Sequence, residues 1–421
     1  MTSTEVPLPP SGSYVKSIRE SSHAARVAAG IQIDTEAIKR LLLSPAFTTT
    51  FYRVSHNHGL AFPLNFPSPL AELNFLSVLS LLNFGSGYRA LLHAHTGRGA
   101  WDSIRAFVFS IYLGDAELLS AKGMQGVEEG KVAELMGVRV HVERPHESIP
   151  GVTVGELGGP GYELVSIVAE TMRSTGDALV GAGYPDLGTF VVEALKEGER
   201  AGKATGQAVD VEVVLERLVK AIPGFRDMTV VDGRPIYCFK KALFLISGVY
   251  IRFHKLASAP FPIPHTQDLP ICADNVIPSL LAYLGVLDLS RATAHGLASV
   301  FPAPPVSIES LLDQYHPQSS DQDEDKAERK GPPEEGPVLT VEQAFLLRAA
   351  AIEACEVIVQ VARGLRLDGE DAGWVAGGEE ELAWVKGISL LDVDTWLWAV
   401  AKDRGDYRAL GRFALRGTCF F

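Results

Sequence analysis

Asp274 stands alone among apolar neighbours in LPICADNVIPSLLAYLGVL (269–287), with Ile271, Cys272 and Ala273 before it and Val276 and Ile277 after it. A carboxylate in these surroundings has two uses. It can accept the first amide N–H groups of the helix that follows, or, held out of water beside another charge, it can acquire a shifted pKa and take part in a reaction. Asn275 is a second candidate for the cap, and Pro278 suits the helix's first turn, where an N–H would lack a partner anyway. The local pattern leaves both uses of Asp274 open.

A second group lies in LLDVDTWLWAVAKDRG (390–405), where Asp392 and Asp394 precede Trp396 and Trp398. Indole rings beside a carboxylate suit a flat heterocycle, the rings stacking on its faces and the carboxylate accepting from its N–H edge. A capped amphipathic helix with tryptophans in the core fits the same residues. FRDMTVVDGRPIYCFKKALF (225–244) groups Arg226, Arg234, Lys240 and Lys241, which form either a solvated face or a clamp for a phosphate. Histidines recur in SHNHG (55–59) and LHAHTGRG (92–99). Neither pair supplies the three well-placed protein ligands of a catalytic metal site, and no HExxH or GxSxG accompanies them. GELGGPG (155–161) lacks the order and the strand–helix setting of a dinucleotide-binding turn.

The elements that must carry these groups are mostly helices. After a stretch rich in Pro, Ser and Thr at 1–13, expected to be a disordered tail, apolar residues recur at helical spacing. IDTEAIKRLL (33–42) opens with Asp34 or Thr35 as a cap, and PLAELNFLSVLSLLNFG (69–85) runs to a closing Gly85. Further helices are predicted over 101–121, 163–174, 187–200, 210–222, 238–255, 276–284, 340–364 and 389–402. Strand signals are limited to VRVHVE (138–143) and MTVVDGRPIYCF (228–239), whose Asp232-Gly233 is a hairpin turn. The expected fold class is mainly α with one or two small β ribbons. The polar, charged segment 313–338 reads as a disordered acidic insertion.

Composition narrows the partners. Hydrophobic residues make up 47% of the 421, enough for a large buried core. With 38 Lys and Arg against 51 Asp and Glu, the net charge is −13. That balance opposes direct binding of tRNA or DNA, whose affinity comes from cations displacing counterions, but allows a small phosphorylated ligand. The four cysteines form no CxxC, as expected of free thiols in a reducing compartment. No stretch approaches the roughly 18 apolar residues of a membrane span, and no signal sequence is evident, so the chain is expected to be soluble and cytoplasmic, away from membranes.

Four blocks, SLLNFGSGYR (80–89), GFRDMTVVDGRPIYCFKKA (224–242), LPICADNVIPSLLAYLGVL (269–287) and VDTWLWAVAKDR (393–404), occur in this order. Together they resemble the queuosine salvage protein family, the queuosine 5′-phosphate N-glycosylases that release the 7-deazaguanine base queuine for tRNA modification. The resemblance runs from about Ser13 to Phe421. It implies one helical domain over 14–421, similar to helix-hairpin-helix DNA glycosylases, acting on a small nucleotide without metal or cofactor. It also implies that Asp274 is the catalytic carboxylate, placed beneath the ribose carbon where an oxocarbenium-like transition state gathers charge.

By the same resemblance, Asp394 and His58, with His56 as the fallback, hold the base. Three positions depart from the family pattern: Cys272 replaces an aromatic residue that packs on the base, Thr395 a tyrosine, and Ala399 another base-binding Asp. They are expected to line the substrate site with altered affinity or selectivity. The clustering of Arg226, Lys240 and Lys241 suggests a 5′-phosphate clamp. A relative that binds queuine or its nucleotide without turnover is the alternative.

Overall fold

The structure is a computed structural model that describes residues 6–55, 59–204, 206, 209–303, 306–315, 335–366 and 382–421. It is mainly helical with small two-stranded ribbons, as the periodicity predicts. The helices used below are α1 (Tyr14–Ala29), α2 (Thr35–Leu43), α3 (Pro69–Leu81), α4 (Ala100–Gly114), α5 (Gly159–Gly181), α6 (Leu187–Ala204), α7 (Val211–Ala221), α8 (Lys240–Phe253), α9 (Val276–Tyr283), α10 (Val341–Gly364) and α11 (Leu390–Asp403). The strands are β1 (His141–Pro145), β2 (Thr153–Leu157), β3 (Met228–Val231), β4 (Arg234–Tyr237), β5 (Glu335–Val338) and β6 (Arg412–Ala414). No single helix among the described residues is long and apolar enough to cross a membrane.

The chain divides into two compact units, one formed by Met1–Pro63, Asp227–Leu243 and His265–Ala414, the other by Leu64–Arg226, Phe244–Pro264 and Leu415–Phe421. In the first unit α10 is the centre. Its FLLRAAAIEAC run is rich in the best helix formers, and Thr340 and Gln343 close a capping box at its start. Every residue from Ala344 to Ile352 is buried, so this stretch is enclosed on all sides. Helices α1, α2, α9 and α11 and the β3–β4 hairpin pack around it.

Arg26 and Arg19 of α1 reach Glu353 and Glu356 of α10, each at 2.6 Å. Helix α1 is absent from the predicted set because its packed face buries Ser17, Ser21 and Ser22, which dilute the apolar stripe. The predicted Asp232-Gly233 turn is present with φ of 49° and 75°, the left-handed geometry that a two-residue antiparallel hairpin requires.

In the second unit α3 is buried from Phe75 to Leu81 and packs on α4 and α6. Its Ser77 and Ser80 hydroxyls donate to Leu73 and Leu76 carbonyls of the same helix, both at 2.7 Å, so two buried polar groups need no outside partner. This helix stops at Leu81 rather than running on to Gly85, which takes a φ of 97° just before a short 3-10 turn. The VRVHVE signal becomes β1, paired antiparallel with β2.

Two expectations of disorder need correction at their edges. In the 1–13 stretch, Pro9 is buried, and Pro7's carbonyl accepts the Tyr237 hydroxyl at 2.8 Å. In the predicted insertion, 316–334 lies outside the described residues, but Glu335–Val338 forms β5 and pairs parallel with β6. Composition measures how much a segment can bury; it does not register a single anchoring hydrogen bond or a partner strand far along the chain.

Candidate functional site

The run 269–275 leads into α9, and its last residues set the direction of three side chains. Asp274 is buried, and its Oδ1 accepts the N–H groups of Val276 at 2.7 Å and Ile277 at 3.4 Å. The cap therefore falls to Asp274. Asn275, the other candidate, turns away: its Nδ2 donates to the Phe413 carbonyl at 2.7 Å, and Ser279 Oγ links the Asn275 carbonyl to the Phe413 N–H. Capping engages one oxygen of Asp274; no hydrogen bond among the described residues engages Oδ2.

Asp394, in the second turn of α11, meets this run from the other side. Its Oδ2 accepts the Cys272 N–H at 2.8 Å. Burial is the main reason its pKa is pushed up to about 6; the negative charge of Asp274 adds to that, while the Cys272 hydrogen bond and the Lys240 ammonium oppose it. Asp394 and Cys272 each keep part of their surface open, which a ligand-binding group needs. The Cys272 thiol is driven well above its ordinary range, first by burial and then by Asp394.

Lys240 begins α8 and is buried. Its pKa is lowered, with burial as the first cause; among its neighbours Asp274 is the strongest influence in the opposite direction. Asp274, Asp394, Lys240 and Cys272 thus share one electrostatic neighbourhood in the first unit. Two carboxylates and an ammonium placed this way can stabilise a cation, hold a heterocycle's polar edge and move a proton.

Beneath this group lies an ion pair that sequence reasoning missed. Arg348 of α10 and Asp227 have no exposed side-chain surface, and they pair bidentately at 2.9 and 2.5 Å. Burial works against the Arg348 charge, but Asp227, with Cys238 and Asp274, more than restores it, so the guanidinium stays ionised. The available signal was one cation inside an otherwise apolar helical run, FLLRAAA.

Other predicted residues are placed on several elements. Arg226 belongs to the second unit, where its Nε and Nη2 donate to the Val219 and Lys220 carbonyls at the end of α7, at 3.2 and 2.7 Å. Lys241 is fully buried in the first unit. Thr395 and Ala399 are buried on α11, and the Thr395 hydroxyl donates to the Leu391 carbonyl at 2.8 Å.

Asp392 closes a capping box with Ser389, and Trp396 is a core residue whose Nε1 donates to Thr50 Oγ1 at 2.9 Å. His95 accepts the Arg139 N–H at 3.3 Å within the second unit. His56 and His58 lie outside the described residues. Among the described residues no cluster of three or more His, Cys, Asp or Glu could hold a metal ion.

Comparison with known families gives one match: residues 185–300 fit the model of the queuosine salvage protein. The matched segment contains Asp227, Lys240, Cys272 and Asp274; Arg348 and Asp394 fall beyond it. The match supports the resemblance carried by the four sequence blocks and a role in queuosine salvage. No curated protein matches the chain.

Proposed function

We propose, taking the match to the queuosine salvage protein as the premise, that this chain hydrolyses the N-glycosidic bond of queuosine 5′-phosphate and releases queuine. The observation that carries the proposal is the meeting of Asp274, Asp394 and Lys240, two carboxylates and an ammonium largely withdrawn from water.

The bond breaks by loss of the base from the ribose, and positive charge accumulates at the anomeric carbon. Asp274, anchored through Oδ1 to the start of α9, presents Oδ2 to that charge. A fixed negative group in a poorly solvated pocket contributes more than the same group in water, on the order of 3 kcal/mol for one well-placed charge. Asp394 faces the base. With a pKa near 6 it carries a proton in a useful fraction of molecules near neutrality, so it can hydrogen-bond the departing heterocycle or protonate it. Water then adds to the ribose, and Asp274 is available to accept the proton.

Lys240 balances the pair of carboxylates, and with Lys241 it is the remaining candidate for the 5′-phosphate. The substrate is a small nucleotide, the reaction needs no cofactor, and the place of action is the cytoplasm.

The second reading, a binder without turnover, is favoured by one observation. Ala399 brings no polar atom to the buried face of α11, and the Thr395 hydroxyl is engaged with its own helix.

Base release followed by chromatography, with ligand binding measured in parallel, separates the two. Asp274→Asn is the informative variant because Asn also caps helices. Release by wild type and binding without release by Asp274→Asn supports hydrolysis; binding without release by wild type supports the binder. Equal release by both removes Asp274 from the mechanism.

A further inference from the structure

The buried pair Arg348–Asp227 makes four further hydrogen bonds, and each falls next to a charged group of the site. Arg348 Nε donates to the Ala273 carbonyl at 2.9 Å, which is the peptide oxygen immediately before Asp274. Asp227 Oδ2 accepts the Lys240 N–H at 3.0 Å. The Asp227 carbonyl accepts the N–H groups of Cys238 at 3.0 Å and Phe239 at 3.2 Å, the two residues that lead into Lys240. Phe239 has a φ of +47°, a conformation that a bulky residue holds only when its surroundings impose it.

From these contacts we infer that Arg348 and Asp227 are positioning residues: one ion pair sets the peptide that aims Asp274 and the turn that aims Lys240, and so fixes the carboxylate against the ammonium. A pair serving only stability has no need of this arrangement. Buried ion pairs are commonly replaceable by apolar groups of similar volume without loss of stability. Here the planar fork of arginine is essential, because it addresses two acceptor groups in different directions, Asp227 with its two Nη atoms and Ala273 with Nε. A lysine keeps the charge but cannot hold both.

The inference rests on the hydrolase reading, so its test carries one readout that needs no turnover. In the full chain, Arg348→Lys is expected to lower kcat for base release roughly 10- to 100-fold, the usual effect of loosening groups that orient reacting ones. KM and the thermal midpoint should change little. A folded Arg348→Lys protein with wild-type kcat overturns the inference.

Should Arg348→Lys fail to fold, the double variant Arg348→Met/Asp227→Leu, which removes both buried charges together, decides. Folded protein with the same loss of kcat upholds the inference, and full activity overturns it. Should wild type release no base, the hydrolase reading fails by itself, and the positioning claim is then decided by iodoacetamide. Lys240 favours the Cys272 thiolate, so a displaced Lys240 is expected to slow peptide-resolved alkylation of Cys272 several-fold in Arg348→Lys. Alkylation at the wild-type rate overturns the claim.

Discussion

Helices α9 and α11 each have a carboxylate that accepts a backbone N–H at their start, yet the two carboxylates are held differently. At α11 the cap is a closed local device: Asp392 Oδ2 accepts from the Ser389 N–H at 2.9 Å and from its hydroxyl at 2.7 Å, and Ser389 Oγ accepts the Asp392 N–H in return. Its partners lie three residues away. At α9, Asp274 gives one oxygen to the helix, while its charge acts on Lys240, Arg348 and Asp394, all distant in sequence, as well as on nearby Cys272. A cap within a few residues is complete in itself; a cap that also faces charges from other elements is available for chemistry.

The sharpest test of this contrast exchanges oxygen for nitrogen at Asp274. Asp274→Asn keeps a cap but removes the charge, so base release is expected to fall by about a thousandfold, in line with the loss of one preorganised electrostatic group, while the thermal midpoint stays close to wild type. Activity retained in Asp274→Asn would reduce Asp274 to the same status as Asp392. Next comes Asp394→Asn, for which a decrease in kcat of about a hundredfold is expected from loss of a proton donor. In wild type, kcat should decline as pH rises through about 6, where Asp394 loses its proton; that limb should be missing from the pH profile of the variant.

Asp394 also links pH to stability, and the direction follows from the raised pKa. The folded chain holds this proton more tightly than the unfolded chain, whose carboxyl titrates near its ordinary value of 3.8. Its contribution therefore favours folding below about pH 4 and is lost as pH rises through 6. Urea midpoints of wild type and Asp394→Asn, compared from pH 4 to 7, should show wild type losing about 2 kcal/mol relative to the variant over that range. A constant difference would show that Asp394 is not shifted. The smallest effect is expected at Asp392→Ala, with about 1 kcal/mol of stability lost with the capping box and kcat unchanged. A loss of kcat there would break the distinction between the two caps.

Much of this was legible in the chain itself, and for one kind of reason. The helices, the Asp232-Gly233 hairpin and the Asp34 cap depend on residues within a few positions of one another, and local geometry is written in local sequence. The local pattern also drew attention to Asp274 and Asp394, because an isolated acid in an apolar setting is unusual wherever the chain goes next.

It left the side chain that caps α9 open between Asp274 and Asn275. Both residues are acceptable caps, and the choice was made by the carbonyl of Phe413, 138 residues away, which took the Asn275 amide. Helix α1 was overlooked because buried serines disguise its packed face, and Trp396, aligned by sequence with a possible ligand, turned to Thr50 instead. The pairing of Arg348 with Asp227 spans 121 residues and has no local pattern.

By itself, then, the sequence determined most of the helical segments, though not α1, and which acids are out of place, since spacing and solvation are properties of neighbours. The tertiary structure decided which charges share a pocket, which acid caps α9 and which guanidinium is sealed from water. Those outcomes depend on long-range packing, which brings groups with unrelated sequence positions close enough for burial and Coulomb interaction to compete.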